Sequence, residues 1–536
     1  MITNLNIYRF LAGIVFIAIV IFQTIEISQN CDGNYIYPLD DTFIHLSIAN
    51  NFSNHGIWGV TRHEFSSSSS SLLYTLILSF TMLIFGNNQL LPLMINFITS
   101  YLIIIVIFNL LKSDYYITSN KTNTNKRGFI WSGFLLFIIT AIIALSAPIV
   151  ILTLSGMEHT IQILVNLLFI SALVKYLSDN RNSDFRNLIL IAPLVTGARF
   201  EGIFLIFIAI IFLLTKKEFK KTLYIFIAAV LPLAVYGLIS LSNGWMPLPN
   251  SILLKSTKPE TMDLIGILLY PLKWIPKLMK EHHLLTIFIS AAGLLYVNHQ
   301  YRRSYFESKN IWLIITLLLI IMHLTFAKTG WVYRYEAYIV VIGLIAVALN
   351  IADIIKFGER KLRIAVLALT ALMIMSCSIR TFNSITDVST MSRNIYEQQY
   401  QMAGFLGQFY DNYTVTLGDI GACTYFTNIK LLDLVSLGSI EPLKLRIAKK
   451  FNADEIEKLA KNKNAKIAIL YKEAFLDYIP QSWIEAGDWK ISNNIGCFKD
   501  RVTFYAVNLE EAVRLKINLI EFNKHLPPSV EVNIRP

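Results

Sequence analysis

The hydrophobic residues of this chain occur in long, nearly uninterrupted runs. Eleven of these runs reach, or nearly reach, the length that a helix needs to cross a bilayer. They occupy residues 8–26, 70–86, 90–111, 129–154, 157–177, 188–214, 220–241, 284–298, 311–327, 336–355 and 363–379. The pattern therefore predicts a polytopic α-helical membrane protein with about eleven spans.

The pattern changes after residue 396, where the composition becomes that of an ordinary soluble protein. Strand-like segments alternate there with helical ones, which predicts a small α/β domain. The predicted strands are 413–417, 430–435, 465–470 and 502–507, and the predicted helices are 397–409, 440–461 and 509–523. We therefore divide the chain into a transmembrane module, residues 1–379, and an α/β domain, residues 380–536.

Basic residues in short loops predict the orientation in the membrane. Loops rich in Lys and Arg stay on the cytoplasmic side, and three loops have this composition, namely 216–221, 302–309 and 356–363. The N-terminus is then cytoplasmic, and the outside regions are 27–69, 242–283, 328–335 and everything after about 380. We expect a multi-pass protein of the cytoplasmic membrane whose α/β domain is periplasmic or extracellular.

Simple alternation of spans conflicts with this rule in the middle of the chain, because it places the lysines of loop 112–127 outside. We therefore expect one of the two runs within 70–111 not to cross, and segment 188–214 to fold as two half-helices. Pro193 and the sequence Gly-Ala-Arg-Phe-Glu-Gly at 197–202 mark the expected break. A lysine-rich apolar segment, 262–280, is predicted to lie in the outer interface.

Composition excludes several classes of protein. With 54% hydrophobic and 15% charged residues among 536, the chain is too apolar for a soluble enzyme. The net charge of +11 resides mostly in short loops, so it predicts contact with membrane lipids and not with nucleic acid. Four cysteines are too few for a disulfide framework. Cys423 and Cys497 either pair in an oxidising compartment or remain buried thiols.

Two adjacent carboxylates, Asp40 and Asp41, follow the first span. Repulsion between them raises one pKa, which suits a general base. A carboxylate pair can also hold a divalent cation such as Mg²⁺, Mn²⁺ or Ca²⁺. The alternative is that one of them caps the helix predicted to begin at Thr42. The chain has no GxxxxGK[ST] loop, so nucleotide hydrolysis of that kind is not indicated.

Other ionisable residues lie where apolar runs bend or end. Charges at membrane depth are by default functional candidates or mutual partners. The alternatives are an internal ion pair for Arg199 with Glu201, a snorkelling residue in an aromatic belt for Arg334, and a solvated loop charge for Lys255. The other residues of this kind are Glu158, His159 and Glu336. The histidines predicted to lie outside, which include His45, do not have the spacing of zinc ligands.

Four segments, in this order, resemble the membrane glycosyltransferases of the GT-C fold that use polyprenyl-phosphate sugars, within their arabinofuranosyltransferase-like branch. Leu39-Asp40-Asp41-Thr42-Phe43-Ile44 resembles the family's Asp-Asp-Ala-Tyr-Ile loop, and Ser155-Gly156-Met157-Glu158 resembles Gly-Leu-Glu-Thr. Gly197-Ala198-Arg199-Phe200-Glu201-Gly202 resembles Arg-Pro-Glu-Gly, and Pro247-Leu248-Pro249-Asn250-Ser251 with Lys255 resembles Pro-Leu-Pro-Asn-Thr ending in a lysine. Four further segments also resemble the family, namely Gly330-Trp331, Arg334-Tyr335, 418–422 and 432–435. The resemblance therefore covers about residues 37–438.

The resemblance implies an inverting glycosyltransferase that moves a sugar from a polyprenyl-phosphate donor to a cell-envelope glycan, glycolipid or protein on the outer face of the membrane. It implies that Asp40 or Asp41 acts as general base and that Arg199, Lys255 or Arg334 stabilises the departing phosphate. It gives supporting positions to His45, Glu158, Glu201 and Asn250. Thr42-Phe43, His159 and Phe200 depart from the family pattern, which leaves the sugar open.

Three other functions stay open from the sequence. A glycan ligase or polymerase would use a whole lipid-linked oligosaccharide as its donor. A transporter or flippase for lipid-linked sugars would also carry broken helices and intramembrane charges. A non-catalytic assembly subunit would tolerate replacement of both aspartates.

Overall fold

A computed structural model describes residues 3–120, 126–255, 272–357 and 359–536 of the chain. Most of the described residues up to 409 are helical. Within these ranges, seven helices are long and apolar enough to cross a membrane. They are Thr3–Asn30, Leu91–Asn120, His159–Asp179, Phe219–Ser242, Ser308–Phe326, Ala337–Phe357 and Arg360–Ile395. The polytopic helical architecture is confirmed, while the count of eleven spans stays a prediction.

The expected break within 188–214 is present. Helix Asn182–Ala198 ends before Arg199, whose backbone is extended (φ −159°), and a new helix begins at Gly202. Only glycine fits at this start, because a Cβ on Gly202 would lie 2.3 Å from the carbonyl oxygen of Val195. The break therefore presents the Arg199 side chain between two helix ends.

The remaining helices of the module are shorter or more polar. Leu72–Phe85 has 14 residues, about 21 Å of helix, which is less than the bilayer core of about 30 Å. Of the predicted interface segment 262–280, residues up to 271 lie outside the described ranges, and a helix is present at Trp274–Lys280. The other helices are Asp41–His55, Lys126–Ser146, Ile149–Leu154, Gly202–Thr215, Asn250–Lys255 and His282–Gln300.

One continuous helical segment joins the two parts of the chain. Helix Arg360–Ile395 runs through the boundary placed between residues 379 and 380, and it continues as a π-helical turn, Tyr396–Tyr400, and then as helix Gln401–Phe409. The sheet begins only at Thr414. The C-terminal domain is thus attached to the module by helix and not by an irregular linker.

The C-terminal domain contains one six-stranded mixed sheet with the strand order β2-β1-β3-β5-β4-β6. β1 lies parallel to β2 and β3, and the other pairings are antiparallel. The strands are β1 (Thr414–Leu417), β2 (Lys430–Asp433), β3 (Ala465–Leu470), β4 (Ile484–Lys490), β5 (Arg501–Ala506) and β6 (Glu531–Ile534), and the helices are Gly421–Phe426, Ile440–Ile447, Ala453–Asn462, Lys472–Phe475 and Leu509–Phe522.

The C-terminal domain packs against helix Asp41–His55 through helix Gly421–Phe426. The Phe43 and Phe426 rings lie 5.5 Å apart between centroids, and the Ser47 and Thr424 hydroxyls are hydrogen-bonded at 3.0 Å. Ligands of α/β sheets bind beyond the carboxyl ends of parallel strands. The carboxyl ends of β1 and β2 both face this contact, because residues 418–420, Val435 and Leu437 contribute to a cavity beside Asp40.

Candidate active site

Asp40 lies at the junction between the first loop, residues 31–71, and the C-terminal domain. It precedes helix Asp41–His55, but its side chain makes no capping hydrogen bond to that helix, so the capping alternative is wrong for Asp40. Its two carboxylate oxygens instead accept the backbone N–H groups of Gly421 at 2.7 Å and Ala422 at 2.8 Å. Burial, together with the neighbouring Asp419 carboxyl, raises the pKa of Asp40 to about 8.

A cavity of about 80 Å³, which we call the acidic cavity, opens beside Asp40. Asp41 and Asp419 also line it, as do Trp331 and Phe498, whose side chains are 47% and 56% exposed. A carboxylate has about four acceptor positions, so Asp40 can accept further hydrogen bonds from a group in this cavity. A hydroxyl group can donate hydrogen bonds to the carboxylates that line this cavity, whereas an anion would be repelled by them.

Asp41 forms an ion pair with Arg334. The Oδ2 atom of Asp41 lies 2.5 Å from Nη2 of Arg334, whose side chain is 1% exposed. The snorkelling alternative for Arg334 is therefore wrong. Among the described residues, the Nε and Nη1 atoms of Arg334 have no hydrogen-bond partner. An unpaired buried donor costs about 1–3 kcal/mol, so these atoms favour binding of an anion.

The loop before Arg334 has an unusual backbone. Gly330, Trp331, Val332 and Tyr333 are left-handed in succession, with φ values of 78°, 42°, 57° and 60°. This conformation costs a non-glycine residue roughly 1–2 kcal/mol, so its contacts must hold it in place. The Gly330 N–H donates to Glu336 at 2.8 Å, and Tyr333 donates to Asp387 at 3.0 Å.

Arg199 lies between two carboxylates. Its Nη1 atom is 2.5 Å from Glu158, and its Nη2 and Nε atoms are 2.8 Å and 3.1 Å from Glu201. The internal ion pair considered from the sequence is confirmed, with Glu158 as a second acidic partner. Glu158 also accepts from Ser70 at 2.9 Å and lies 3.4 Å from His45 Nε2. Four of the predicted site residues, His45, Glu158, Arg199 and Glu201, therefore form one cluster.

Tyr335 connects this cluster with Arg334. The Cζ atom of Arg199 lies 5.7 Å from the centroid of the Tyr335 ring, and that of Arg334 lies 5.2 Å from it. Guanidinium groups at this distance are attracted to an aromatic face. One aromatic ring thus contacts both buried cations of the candidate site.

A second cavity, of about 270 Å³, opens beside Tyr335 and Arg199; we call it the arginine cavity. Its walls are mostly apolar and include Phe204, Leu233 and Phe326, while Ser70, Glu201 and Lys328 supply polar groups. Sequence reasoning missed Lys328. A lysine that directly follows an apolar run, in a loop predicted to lie outside, could have indicated a phosphate-binding residue. Walls of this kind suit an anionic group attached to an apolar chain.

Two predicted site residues contribute differently. The Asn250 side chain is buried and donates to the carbonyl of Ser436 at 2.8 Å, while the Asn250 N–H donates to the carbonyl of Ser67 at 2.8 Å. Asn250 therefore ties its loop to the first loop and to the C-terminal domain. The Lys255 side chain lies outside the described part of the chain, although its backbone ends helix Asn250–Lys255.

The two cysteines of the C-terminal domain are not paired, while the predicted divalent cation stays a prediction. Cys423 and Cys497 are free buried thiols, as are Cys31 and Cys377, so the disulfide alternative is wrong. Within the described ranges, no three or more His, Cys, Asp or Glu side chains are grouped so that they could hold a metal ion.

Comparisons with known proteins identify the fold. Residues 393–505 match a family model described as Domain of unknown function (DUF8728), and none of the curated proteins compared with the chain matches it. ArnT from Cupriavidus metallidurans bound to undecaprenyl phosphate is similar with a TM-score of 0.52 at 12% identity, over 93% of this chain and 98% of that chain. The apo state of ArnT gives 0.50 at 11% identity, over 93% and 98%. Identity this low shows the fold alone, and that fold is the GT-C fold predicted from the sequence motifs.

Proposed function

We propose that this protein transfers a sugar from a polyprenyl-phosphate donor to an acceptor hydroxyl, with inversion at the anomeric carbon. The reaction takes place at the outer face of the cytoplasmic membrane, and the acceptor is a glycan, glycolipid or protein of the cell envelope. Support comes from the shared fold with ArnT, one structure of which holds undecaprenyl phosphate. Fold alone does not define an activity, so the proposal depends on the charged residues of the site.

The arginine cavity is the proposed donor site. The polyprenyl chain lies along its apolar walls, and the phosphate lies near Arg199 and Lys328. Arg334 contacts the ring of Tyr335 and contributes its Nε and Nη1 atoms, which have no partner among the described residues. Preorganised cations of this kind stabilise charge that develops on a leaving group. Arg199 is paired with two carboxylates, Glu158 and Glu201, and Arg334 is paired with one, Asp41. Lys328 therefore adds a further positive charge, and Arg334 adds its remaining N–H donors.

The acidic cavity is the proposed acceptor site. The acceptor oxygen attacks the anomeric carbon and forms the new C–O bond, while its proton passes to the Asp40 carboxylate. The bond between the anomeric carbon and the phosphate oxygen breaks, and its electron pair leaves with the phosphate. Asp40 suits the role of base because its raised pKa, about 8, is near neutrality. Asp41 holds Arg334 in position.

The ion pair between Asp41 and Arg334 is the observation that carries this proposal. A glycosyl transfer needs a proton acceptor on one side of the anomeric carbon and an anion-stabilising group on the other. The pair brings one carboxylate of the first loop, that of Asp41, into contact with a buried arginine whose Nε and Nη1 atoms have no partner among the described residues. A carboxylate alone or an arginine alone would not distinguish the site of a transferase from a structural ion pair.

Purified protein in lipid, supplied with a panel of polyprenyl-phosphate sugars and candidate acceptors, tests the proposal. The measured quantity is the free polyprenyl phosphate released. We expect turnover by the wild type, a loss of about 10²–10⁴-fold in Asp40→Asn, and a loss in Asp41→Asn that accompanies weaker donor binding. Asp477→Asn, which removes an exposed carboxylate of the C-terminal domain, is the matched control.

Two further conditions sharpen this test. Reactions with and without a chelator examine the predicted divalent cation, and addition of the metal must restore any activity lost. Turnover by Asp40→Asn and Asp41→Asn equal to that of the wild type would contradict the assignment of the base. If polyprenyl phosphate binds but no monosaccharide donor is consumed, a ligase or a flippase becomes the better explanation.

A further inference from the structure

The domain that matches a family of unknown function lies against the proposed base. Residues 393–505 carry the match, and within them Gly421 and Ala422 bind Asp40. On the basis of the proposed function, we infer that this domain takes part in the transfer. Its segment 419–422 positions the Asp40 carboxyl, and Asp419 is a positioning residue that places a second carboxyl at the same cavity.

The first part of this inference depends on close packing around Gly421. A Cβ atom on Gly421 would lie 2.0 Å from the Asp40 carbonyl oxygen and 2.7 Å from its Oδ2 atom. The domain backbone therefore approaches Asp40 as closely as a glycine permits. The two N–H groups fix the plane of the Asp40 carboxylate, and both of its oxygens are oriented from the C-terminal domain.

The second part depends on how Asp419 is held. Asp419 follows β1 and accepts hydrogen bonds from Gln399 at 2.7 Å and from the Tyr471 hydroxyl. These donors keep its carboxyl at the wall of the acidic cavity, which Asp40 also lines. Burial raises the pKa of Asp419, while the bonds from Tyr471 and Gln399 lower it. Asp40 and Asp419 line one cavity, and two buried carboxyls in one small cavity cannot both ionise easily, so the inference is that they share a proton near neutral pH.

Other groups face the same pair from the elements packed around it. Asp41 lies on the helix that follows Asp40, and Arg334 is engaged with Asp41. The thiols of Cys423 and Cys497 and the phenol of Tyr471 are buried nearby, and burial raises the pKa of each of them well above its usual value. These three groups stay protonated over the range in which Asp40 titrates, so Asp419 is the neighbour whose charge changes.

Infrared difference spectroscopy of the full-length protein in lipid, without any donor, tests the inference. The carboxylic-acid band that disappears in Asp40→Asn is followed while the pH is varied. We expect its midpoint near pH 8 in the wild type, and lower by about one unit in Asp419→Asn, because a neighbouring like charge is removed. Tyr471→Phe keeps the Asp419 carboxyl but removes a hydrogen bond that lowers the pKa of Asp419. Asp419 then stays neutral up to a higher pH, so the midpoint of the Asp40 band shifts in the same direction as in Asp419→Asn.

The outcomes separate this inference from the proposed function. A midpoint that stays at the wild-type pH in both variants overturns the role of Asp419, whatever the activity of the protein. A shifted midpoint without turnover of any polyprenyl-phosphate sugar supports the pairing of the carboxyls and contradicts the proposed function. With turnover, the acid limb of the pH–rate profile must shift with the band, whereas a merely structural role would lower the rate equally at every pH. Asp477→Asn serves as the control and must show neither change.

Discussion

Asp41 and Arg334 are 293 residues apart in the chain, and their side chains are in contact at 2.5 Å between Oδ2 and Nη2. This contact joins the two cavities of the site, because Asp41 lines the acidic cavity and Arg334 packs on Tyr335 at the wall of the arginine cavity. The two cavities differ in charge. Under the proposed function, the arginine cavity, which is lined by Arg199 and Lys328 but also by Glu201, takes the phosphate donor, and the acidic cavity takes a neutral acceptor.

Replacement of Arg334 by glutamine should reduce both donor binding and turnover. The buried guanidinium supplies two donors that have no partner within the described part of the chain, and loss of one such donor to a developing anion typically lowers kcat about 10²–10³-fold. The dissociation constant for undecaprenyl phosphate and the turnover rate are the two measurements. Arg334→Lys keeps the charge without the planar fork and should recover only part of the loss.

The control for this variant is Arg181→Gln, since Arg181 is 70% exposed and pairs with Asp179 away from both cavities. It should bind undecaprenyl phosphate and turn over like the wild type. If Arg334→Gln binds the lipid normally and loses only thermal stability, Arg334 is a structural residue and the assignment of the donor site is wrong.

Local patterns were sufficient to predict most elements of the fold. The four predicted strands correspond to β1, β2, β3 and β5 within a residue or two, and the broken helix lies where Pro193 and the glycines at 197 and 202 indicated. Two strands were missed. Gly487 interrupts the hydrophobic pattern of β4, and the edge strand β6 alternates exposed and half-buried positions, with only two apolar residues in four.

Local sequence patterns did not predict the contacts between distant parts of the chain. Helix propensity suggests that Asp40 caps its own helix, yet its partners are Gly421 and Ala422, which lie 381 and 382 residues further along the chain. Likewise, the motifs indicated Arg199 and Arg334 separately, and only the folded chain places Tyr335 between them. Sequence reasoning therefore indicated the groups of the candidate site but not the contacts between them.

The rate of transfer should rise with pH up to about 8. Asp40 must be ionised to accept the proton, and its folded-state pKa is about 8, so the ionised fraction increases as the pH approaches that value from below. A pH–rate profile under saturating donor measures this limb. An acid limb near pH 4, the ordinary pKa of an aspartate, would contradict the assignment of Asp40.

The same raised pKa makes stability depend on pH. The folded protein holds a proton on Asp40 that the unfolded chain releases, so the contribution of this group is fully present below about pH 4 and is lost as the pH rises through about 8. We expect the Tm of the wild type in lipid to fall over this range relative to that of Asp40→Asn. Parallel curves for the two proteins would contradict this linkage.

Replacement of Gly421 by alanine should displace Asp40 from its two backbone donors. The added methyl group would clash with the Asp40 carbonyl oxygen and Oδ2, so the first loop and the C-terminal domain must move apart. We expect turnover to fall by about 10-fold or more, in line with the sensitivity of catalysis to small misplacements. Gly407→Ala is the control, because among the described residues its new Cβ would meet only Thr427 Cγ2, at 3.6 Å. Equal effects of the two variants would indicate a general loss of stability.

Trp331 and Phe498 should contribute to acceptor binding and not to donor binding. Both rings line the acidic cavity and are about half exposed, and the left-handed loop that holds Trp331 there costs free energy. A sugar ring can stack on such faces while its hydroxyl groups meet the carboxylates. We expect Trp331→Ala and Phe498→Ala to raise the KM for a glycan acceptor about 10-fold each, the scale of a lost aromatic contact, without changing the KM for the donor. If Trp331 belongs only to an interfacial aromatic belt, its replacement will weaken membrane anchoring and leave the acceptor KM unchanged.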